Sequence, residues 1–501
     1  MRAVKNITIA MANSVVTIVV SLVALPFYLR YLGMEAYGLI GFSVTLQAVS
    51  QALDLGLAPT ISREVARSID ADGRQRVATL LHTLGIVYIG VSVLIVIAAV
   101  IAAPWIGQRW LTAEHVSTKT IVQAVMLMGV SLACRWPISL YQGALVGAHR
   151  LALSSTVNIV VSISAALVAL TVLAHVSSTI QAFFIVQAAF NLIQACTLRL
   201  LAWKVVGVAG SRFDLAGLRR VWRFSAGMGA ITITSLAFTQ LDKGLLSKIL
   251  DLEDFGHYML AALVVSGLQV VVSPVFNSIY PRFSALAALG KTEELARIYS
   301  LGTRMTAAML FPLAWTLVFH AQDLVLLWTG KPDVAMRAAP IIALLAIGSG
   351  LNGIMHFPYA LQLARGATGI PLAINLGLLV LLAPLTVTLA MSHGTTGGAL
   401  SWAIVGLVYV FVGTWLTGKK IMPSAGWRWL AKDVAVPLAI SLCPVLLGAW
   451  VCKSANLRPM PDIIVASFAA FLGAVACAST DASIRRWVGE YVYRRNRLSA
   501  T

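Results

Sequence analysis

Apolar runs about twenty residues long, parted by short polar connections, recur from one end of the chain to the other. A hydrocarbon core about 30 Å thick is crossed by roughly 20 apolar residues in a helix, so the pattern predicts about fourteen membrane spans. They fall near 6–29, 39–62, 77–103, 119–146, 153–175, 180–206, 224–249, 257–281, 299–319, 337–364, 368–391, 396–417, 433–452 and 462–480. The basic start and apolar run of Met1 to Leu25 suit a signal peptide, but the run is long and no small-residue cleavage site follows, so it reads as a retained first helix. No connection is long enough to hold a soluble catalytic domain. The expectation is an all-α polytopic membrane protein.

Polar positions inside such spans carry the candidate chemistry, because a charge near a helix centre costs about 2.5–3.5 kcal/mol on insertion scales. In the second span Gln47, Gln51 and Asp54 share one face, at spacings of four and three. The fourth carries Ser131, Arg135, Ser139 and Gln142, a stripe around a guanidinium close to mid-span. The seventh carries Thr232, Ser235, Thr239, Asp242 and Lys243, with Lys248 near its outer end, and the tenth brings Ser349, Asn352, His356 and Tyr359 to one side. Plainer roles stand beside these. Ser and Thr bond their own backbone or a neighbouring helix, Asp242 and Lys243 could neutralise charge locally, Arg30 and Lys248 could snorkel to headgroups, and His356 could be a packed histidine. Arg135 lies too deep to snorkel easily.

The chain also repeats itself. YLGMEAYG, from Tyr31 to Gly38, returns 218 positions later as ILDLEDFG, from Ile249 to Gly256, placing Glu35 over Glu253, Tyr37 over Phe255 and Gly38 over Gly256. At that offset Arg30 meets Lys248, Gln51 meets Gln269 and Tyr141 meets Tyr359, while Asn158 meets Asn375 after a slip of one. The predicted organisation is a six-helix lobe at 1–206, a basic cytoplasmic linker at 207–223, a second six-helix lobe at 224–417, two additional helices at 433–480 and a basic tail at 481–501. Within the linker, Leu215, Leu218, Val221 and Trp222 could form one side of a short helix on the inner leaflet. An even number of helices per repeat gives the copies one orientation, related by an axis along the membrane normal.

Composition agrees: 59% of residues are hydrophobic and 11% charged. Lys and Arg concentrate in alternate connections, for example Arg63, Arg67, Arg74 and Arg76, then Arg212, Arg219, Arg220 and Arg223. Basic residues in short loops stay inside, which places both termini in the cytoplasm. The net charge of +18 is scattered over membrane-flanking loops, so it suits anionic inner-leaflet lipid rather than nucleic acid. The five cysteines, Cys134, Cys196, Cys443, Cys452 and Cys477, sit in apolar spans without metal-ligand spacing and read as packing. No cofactor or metal is expected.

Four segments carry a resemblance: LPFYLRYLGMEAYGL from Leu25 to Leu39, LDLGLAPTISREVAR from Leu53 to Arg67, QGALVGAHR from Gln142 to Arg150, and LDKGLLSKILDLEDFGHYMLAAL from Leu241 to Leu263. In this order and spacing the chain resembles the Wzx-type flippases of lipid-linked oligosaccharides, within the multidrug/oligosaccharidyl-lipid/polysaccharide exporter superfamily. The resemblance implies two six-helix bundles around a V-shaped lumen that opens alternately to each side of a bacterial inner membrane. It implies a substrate with an undecaprenyl diphosphate anchor and a short glycan head, moved outward for O-antigen, exopolysaccharide or capsule synthesis, with a polysaccharide polymerase and a chain-length regulator as partners. Relatives acting on lipid II have two extra helices forming a groove for the lipid tail, a role that the last two spans suit by position. Cations in a low-dielectric lumen attract a diphosphate strongly, and amide and hydroxyl side chains offer hydrogen bonds to sugars. The candidate substrate residues are therefore Arg135, Lys243, Arg30, Lys248, Gln47, Gln51, Gln142, Asn352, His356 and Tyr359, with Asp54 and Asp242 as candidates for ion coupling. Two alternatives stay open: a cation-coupled drug or metabolite exporter of the same superfamily, which needs such a carboxylate, and a membrane polysaccharide polymerase or ligase, for which the outer loops are short.

Overall fold

The computed structural model describes residues 2–54, 56–68, 71–207, 213–455 and 459–480. Among them the backbone is helical, with no strand beyond a single bridge between Thr112 and Asp251. The chain divides into two compact units, Met1–Gly256 and His257–Thr501. The first holds α1 (Arg2–Tyr31), α2 (Met34–Leu53), α3 (Leu57–Arg67), α4 (Ala71–Trp105), α5 (Thr118–Arg135), α6 (Ile138–Gly147), α7 (Leu151–His175), α8 (Ile180–Val206), α9 (Leu215–Ile249) and the start of α10 (Leu252–Ser266). The second continues with α11 (Gln269–Ala288), α12 (Thr292–Thr329), α13 (Pro332–Ile354), α14 (His356–Ala364), α15 (Gly369–Lys420), the single turn α16 (Trp427–Trp429), α17 (Val436–Ser454) and α18 (Pro459–Thr480). Of the linker, 208–212 lie outside the described residues, as do the side chains of Leu218, Val221 and Trp222 and the whole tail 481–501.

Among the described residues nine helices are long and apolar enough to cross a membrane, or ten if α10 and α11, bent by 46°, form one span. Each of the fourteen expected spans falls on a helix or on a pair joined at a break. At about 1.5 Å per residue, the 52 residues of α15 would reach far beyond one bilayer. The chain turns at Gly394, whose φ of 59° and ψ of −136° a side chain would resist. Thr386 and Ser401 then meet hydroxyl to hydroxyl at 2.9 Å, so the two stretches run back along one another.

Helix ends recur at the repeat offset. Tyr31 and Ile249 close α1 and α9, Met34 and Leu252 open α2 and α10, Ile138 and His356 open α6 and α14, and Leu151 and Gly369 open α7 and α15, each pair 218 apart. Most of these ends lie at a polar or proline-marked break: Pro137, which lacks the N–H that would continue α5, precedes α6. The repeated motif packs on its own copy. A Cβ on Gly38 would lie 2.2 Å from the Leu252 carbonyl oxygen, and one on Gly256 would lie 2.7 Å from that of Met34. Membrane helices gain little from hydrophobic attraction to each other, so small residues at a crossing, which admit close backbone packing, supply the stabilisation.

The additional helices are fastened along α12 within the second unit. At one end Asp433 accepts from Arg304 Nε at 2.6 Å and from Ser300 Oγ at 2.6 Å. Trp429 Nε1 donates to Thr303 Oγ1 at 3.0 Å and Trp315 Nε1 to the Leu438 carbonyl at 3.2 Å. At the other end His320 Nδ1 lies 2.8 Å from Asp462 Oδ2.

Adding one methyl group at the crossing should be costly. Gly38→Ala is expected to destabilise the protein by about 1–3 kcal/mol through overpacking, read as a lower thermal midpoint in detergent. Gly90→Ala, where a Cβ meets nothing within 4 Å, should leave the midpoint unchanged or slightly raised. Equal midpoints for the two variants contradict the crossing.

Candidate functional site

Arg135 ends α5, and Trp136 and Pro137 separate it from α6, so the guanidinium stands at a break inside one span. Its side chain is exposed, and among the described residues it has no hydrogen-bond or ion-pair partner. The rest of its stripe is occupied. Asn191 Nδ2 donates to Ser131 Oγ at 2.9 Å, and Gln142 Nε2 donates to Asn158 Oδ1 at 2.9 Å, an oxygen that also accepts from Gln194 Nε2 at 2.5 Å. Ser139 Oγ reaches Asp54 Oδ1 at 3.4 Å, which ties the Arg135 stripe to the end of α2. Asp54 also accepts from the Tyr88 hydroxyl and, at 3.2 Å, from the Ala58 N–H in the first turn of α3. Its carboxylate thus caps a helix and closes a polar contact in this conformation. Gln47 is half-buried and Gln51 exposed on α2.

On α9 the cation and its neighbour meet. Lys243 Nζ lies 3.3 Å from Asp242 Oδ1 and donates to the Thr239 carbonyl at 2.9 Å, with Asp242 buried. Lys248 donates to the Arg109 carbonyl, fastening the end of α9 to the turn after α4. Arg30, exposed at the end of α1, has its guanidinium carbon 6.0 Å from the Tyr31 ring centre, an arrangement that suits an interfacial cation.

In the second unit His356 and Tyr359 share a ring cluster with two residues outside the expected set. Phe276 stacks on Tyr359 at 5.9 Å and on Tyr280 at 5.9 Å, and meets His356 edge to face at 5.7 Å. The Asn352 carbonyl lies 3.3 Å from His356 Nδ1, which orients the imidazole. All four rings are half-buried. Phe276 and Tyr280 sit four apart on α11, a spacing that reads equally as packing.

The repeated glutamate also has a task. Glu35, at the start of α2, accepts from the N–H groups of Glu114 at 3.0 Å, His115 at 2.9 Å and Val116 at 2.7 Å, and its Oε1 lies 3.0 Å from His115 Nδ1. Burial by itself would raise the Glu35 carboxyl, but the His115 N–H and ring and the Val116 and Glu114 amides outweigh it and hold the carboxyl below its ordinary value. The hydrogen bond to Glu35, with its charge, holds the exposed His115 above its ordinary value. Two trios bring metal-ligating atoms together among the described residues: Glu35, His115 and Glu253, and the buried His320, Cys452 and Asp462.

The chain belongs to a family of integral membrane proteins, the polysaccharide biosynthesis protein family, whose pattern matches residues 3–287. It is 22% identical over 423 residues to a Shigella flexneri protein named "Putative O-antigen transporter", covering 83% of this chain and 98% of that one. It is 28% identical over 221 residues to the succinoglycan biosynthesis transport protein ExoT of Rhizobium meliloti, covering 44% and 41%. Among solved structures its fold matches that of the lipid II flippase MurJ in an inward closed conformation, with a TM-score of 0.73, 11% identity and coverage of 93% of this chain and 98% of MurJ. An inward-facing multidrug resistance transporter of the MATE family matches with a TM-score of 0.62 and 11% identity, over 80% of this chain and 95% of that one.

The loop at Glu114–Val116 gives a signed pH dependence. The His115 ring adds protection while it is charged, which is complete below its ordinary value of about 6.5 and is lost as pH rises through its raised folded value. Glu35, held low, stays ionised throughout, so the amide bonds persist. Hydrogen-exchange protection of these three amides, corrected for intrinsic rates, should therefore step down modestly as pH rises past the ordinary histidine value. His115→Asn should show no step, and Glu35→Ala should lose most of the protection at every pH.

Proposed function

We propose that this protein is a flippase that moves an undecaprenyl-diphosphate-linked oligosaccharide from the cytoplasmic to the periplasmic leaflet by alternating access, for O-antigen, exopolysaccharide or capsule synthesis. Arg135 carries the reading: a cation within a span, exposed and without a partner among the described residues, has the charge that a diphosphate needs. Guanidinium groups bind phosphate oxygens through paired, charge-assisted hydrogen bonds. Lys243 is proposed as a second cation, released from Asp242 when the anion arrives, with Arg30 and Lys248 acting nearer the outer surface. Gln47, Gln51, Gln142 and Asn352 offer amides to the glycan, and the Phe276, Tyr280, His356 and Tyr359 rings offer faces to sugar rings.

The proposed setting is the inner membrane of a bacterial cell, with both termini in the cytoplasm, anionic lipid at the basic loops, and a polymerase and chain-length regulator acting on the product. No bond is made or broken in this scheme, so the protein is read as a transporter and not an enzyme. The membrane field assists the outward movement of an anion by about 2.3 kcal/mol per elementary charge at 100 mV, inside negative. Coupling to an ion through Asp54 or Asp242 is part of the proposal, because each carboxylate lies within a helix beside hydrogen-bonding or charged neighbours and can carry a proton or a cation. Transport by reconstituted protein that responds to voltage alone, and is unchanged in Asp54→Asn and Asp242→Asn, removes ion coupling.

In cells, Arg135→Ala should abolish export of the glycan by more than tenfold while leaving the protein in the membrane, and Arg135→Lys should keep part of the activity because charge survives but the paired geometry does not. Unimpaired export by Arg135→Ala overturns the role of this residue.

A further inference from the structure

We propose that His320, Cys452 and Asp462 form a zinc site that fastens the two additional helices to α12. The three residues come from three different helices and are all buried, at 2%, 5% and 4% exposure. Each brings a ligating atom to within 4.8 Å of the other two. His320 Nδ1 lies 2.8 Å from Asp462 Oδ2, while its other ring nitrogen, Nε2, is buried with no hydrogen-bond partner among the described residues. Cys452 Sγ lies 3.9 Å from the Asp462 carbonyl oxygen and also interacts with the Asp462 side chain. Backbone geometry leaves the helix at His320, with φ −120° and ψ 15°, so the imidazole is placed by a kink and not by the regular run of α12.

The chemistry asks for a cation. A thiolate and a carboxylate with a neutral imidazole balance the charge of one divalent ion, which a buried position requires. Asp323, one turn beyond His320 on α12, is half-buried and interacts with both Asp462 and His320, so a second carboxylate faces the first across the same space. Asp323 and Asp462 are hydrogen-bonded to each other, so the pair holds either one proton or one cation, and a water would complete four ligands. Zinc suits a sulfur, nitrogen and oxygen set at bonds of about 2.0–2.3 Å, which puts the ligands roughly 3–4 Å apart, within reach of small side-chain shifts from the separations here. By contrast, the trio of Glu35, His115 and Glu253 spends its buried carboxylate on three backbone amides.

The full chain, purified in detergent and stripped by a chelator, is the material for the test. On titration with zinc it should take up about one ion per chain at micromolar concentrations, and its thermal midpoint should rise. Cobalt in place of zinc should give a thiolate charge-transfer absorption in the near ultraviolet. Cys452→Ser should lose the absorption and most of the uptake, whereas Cys443→Ser, an exposed cysteine on the same helix, should keep both. His320→Gln should lose uptake; if it also unfolds, the comparison of Cys452→Ser with Cys443→Ser still decides. Zinc held equally by the wild type and Cys452→Ser, or a wild-type midpoint unmoved by zinc, overturns the site.

Discussion

A guanidinium partway along an apolar span is the constraint around which this molecule is organised. Its insertion costs about 2.5–3.5 kcal/mol unless water or an anion meets it. The neighbouring polar groups do not meet it: Ser131, Ser139, Gln142 and Asp54 are already bonded to Asn191, Asp54, Asn158, and Ala58 with Tyr88. Among the described residues Arg135 is left exposed, without a hydrogen-bond or ion-pair partner. It stands at the end of α5, where Trp136 and Pro137 break the span before α6.

The same economy explains the helix breaks. Backbone groups in lipid must be paired within the protein, so each interruption of a span needs a local solution. Gly394 turns α15 back on itself, and Asp54 pairs the free N–H of Ala58 at the start of α3. Gly38 and Gly256, 218 positions apart, each admit a carbonyl from the other occurrence of their sequence motif. Helix ends and one reciprocal crossing thus recur at the 218-residue offset, while the polar groups at that offset differ, with Arg135 in the first unit and the rings around Phe276 in the second.

Much of this was legible in the residues because it depends on local pattern. Twenty-residue apolar runs predict the spans, the 218-residue offset predicts the matching helix ends, and a charge at mid-span marks Arg135. What stayed hidden depends on long-range pairing. Glu35 meets His115 at a separation of 80 residues, and His320 meets Asp462 at 142, distances that no periodicity reports. Phe276 and Tyr280 carry no sequence signal of their own, because aromatic residues four apart on a helix look the same in packing and in binding. From the sequence Asp242 and Asp54 suit ion coupling or local pairing alike, and in this conformation their carboxylates hold Lys243 and the start of α3.

The central claim concerns a diphosphate on Arg135, and equilibrium binding to the purified protein tests it most directly. Undecaprenyl diphosphate should bind at least tenfold more tightly than undecaprenol, and Arg135→Ala should erase most of that preference while retaining affinity for the polyprenyl chain. A wild-type protein that binds the two lipids alike, or an Arg135→Ala variant with the preference intact, would contradict the account.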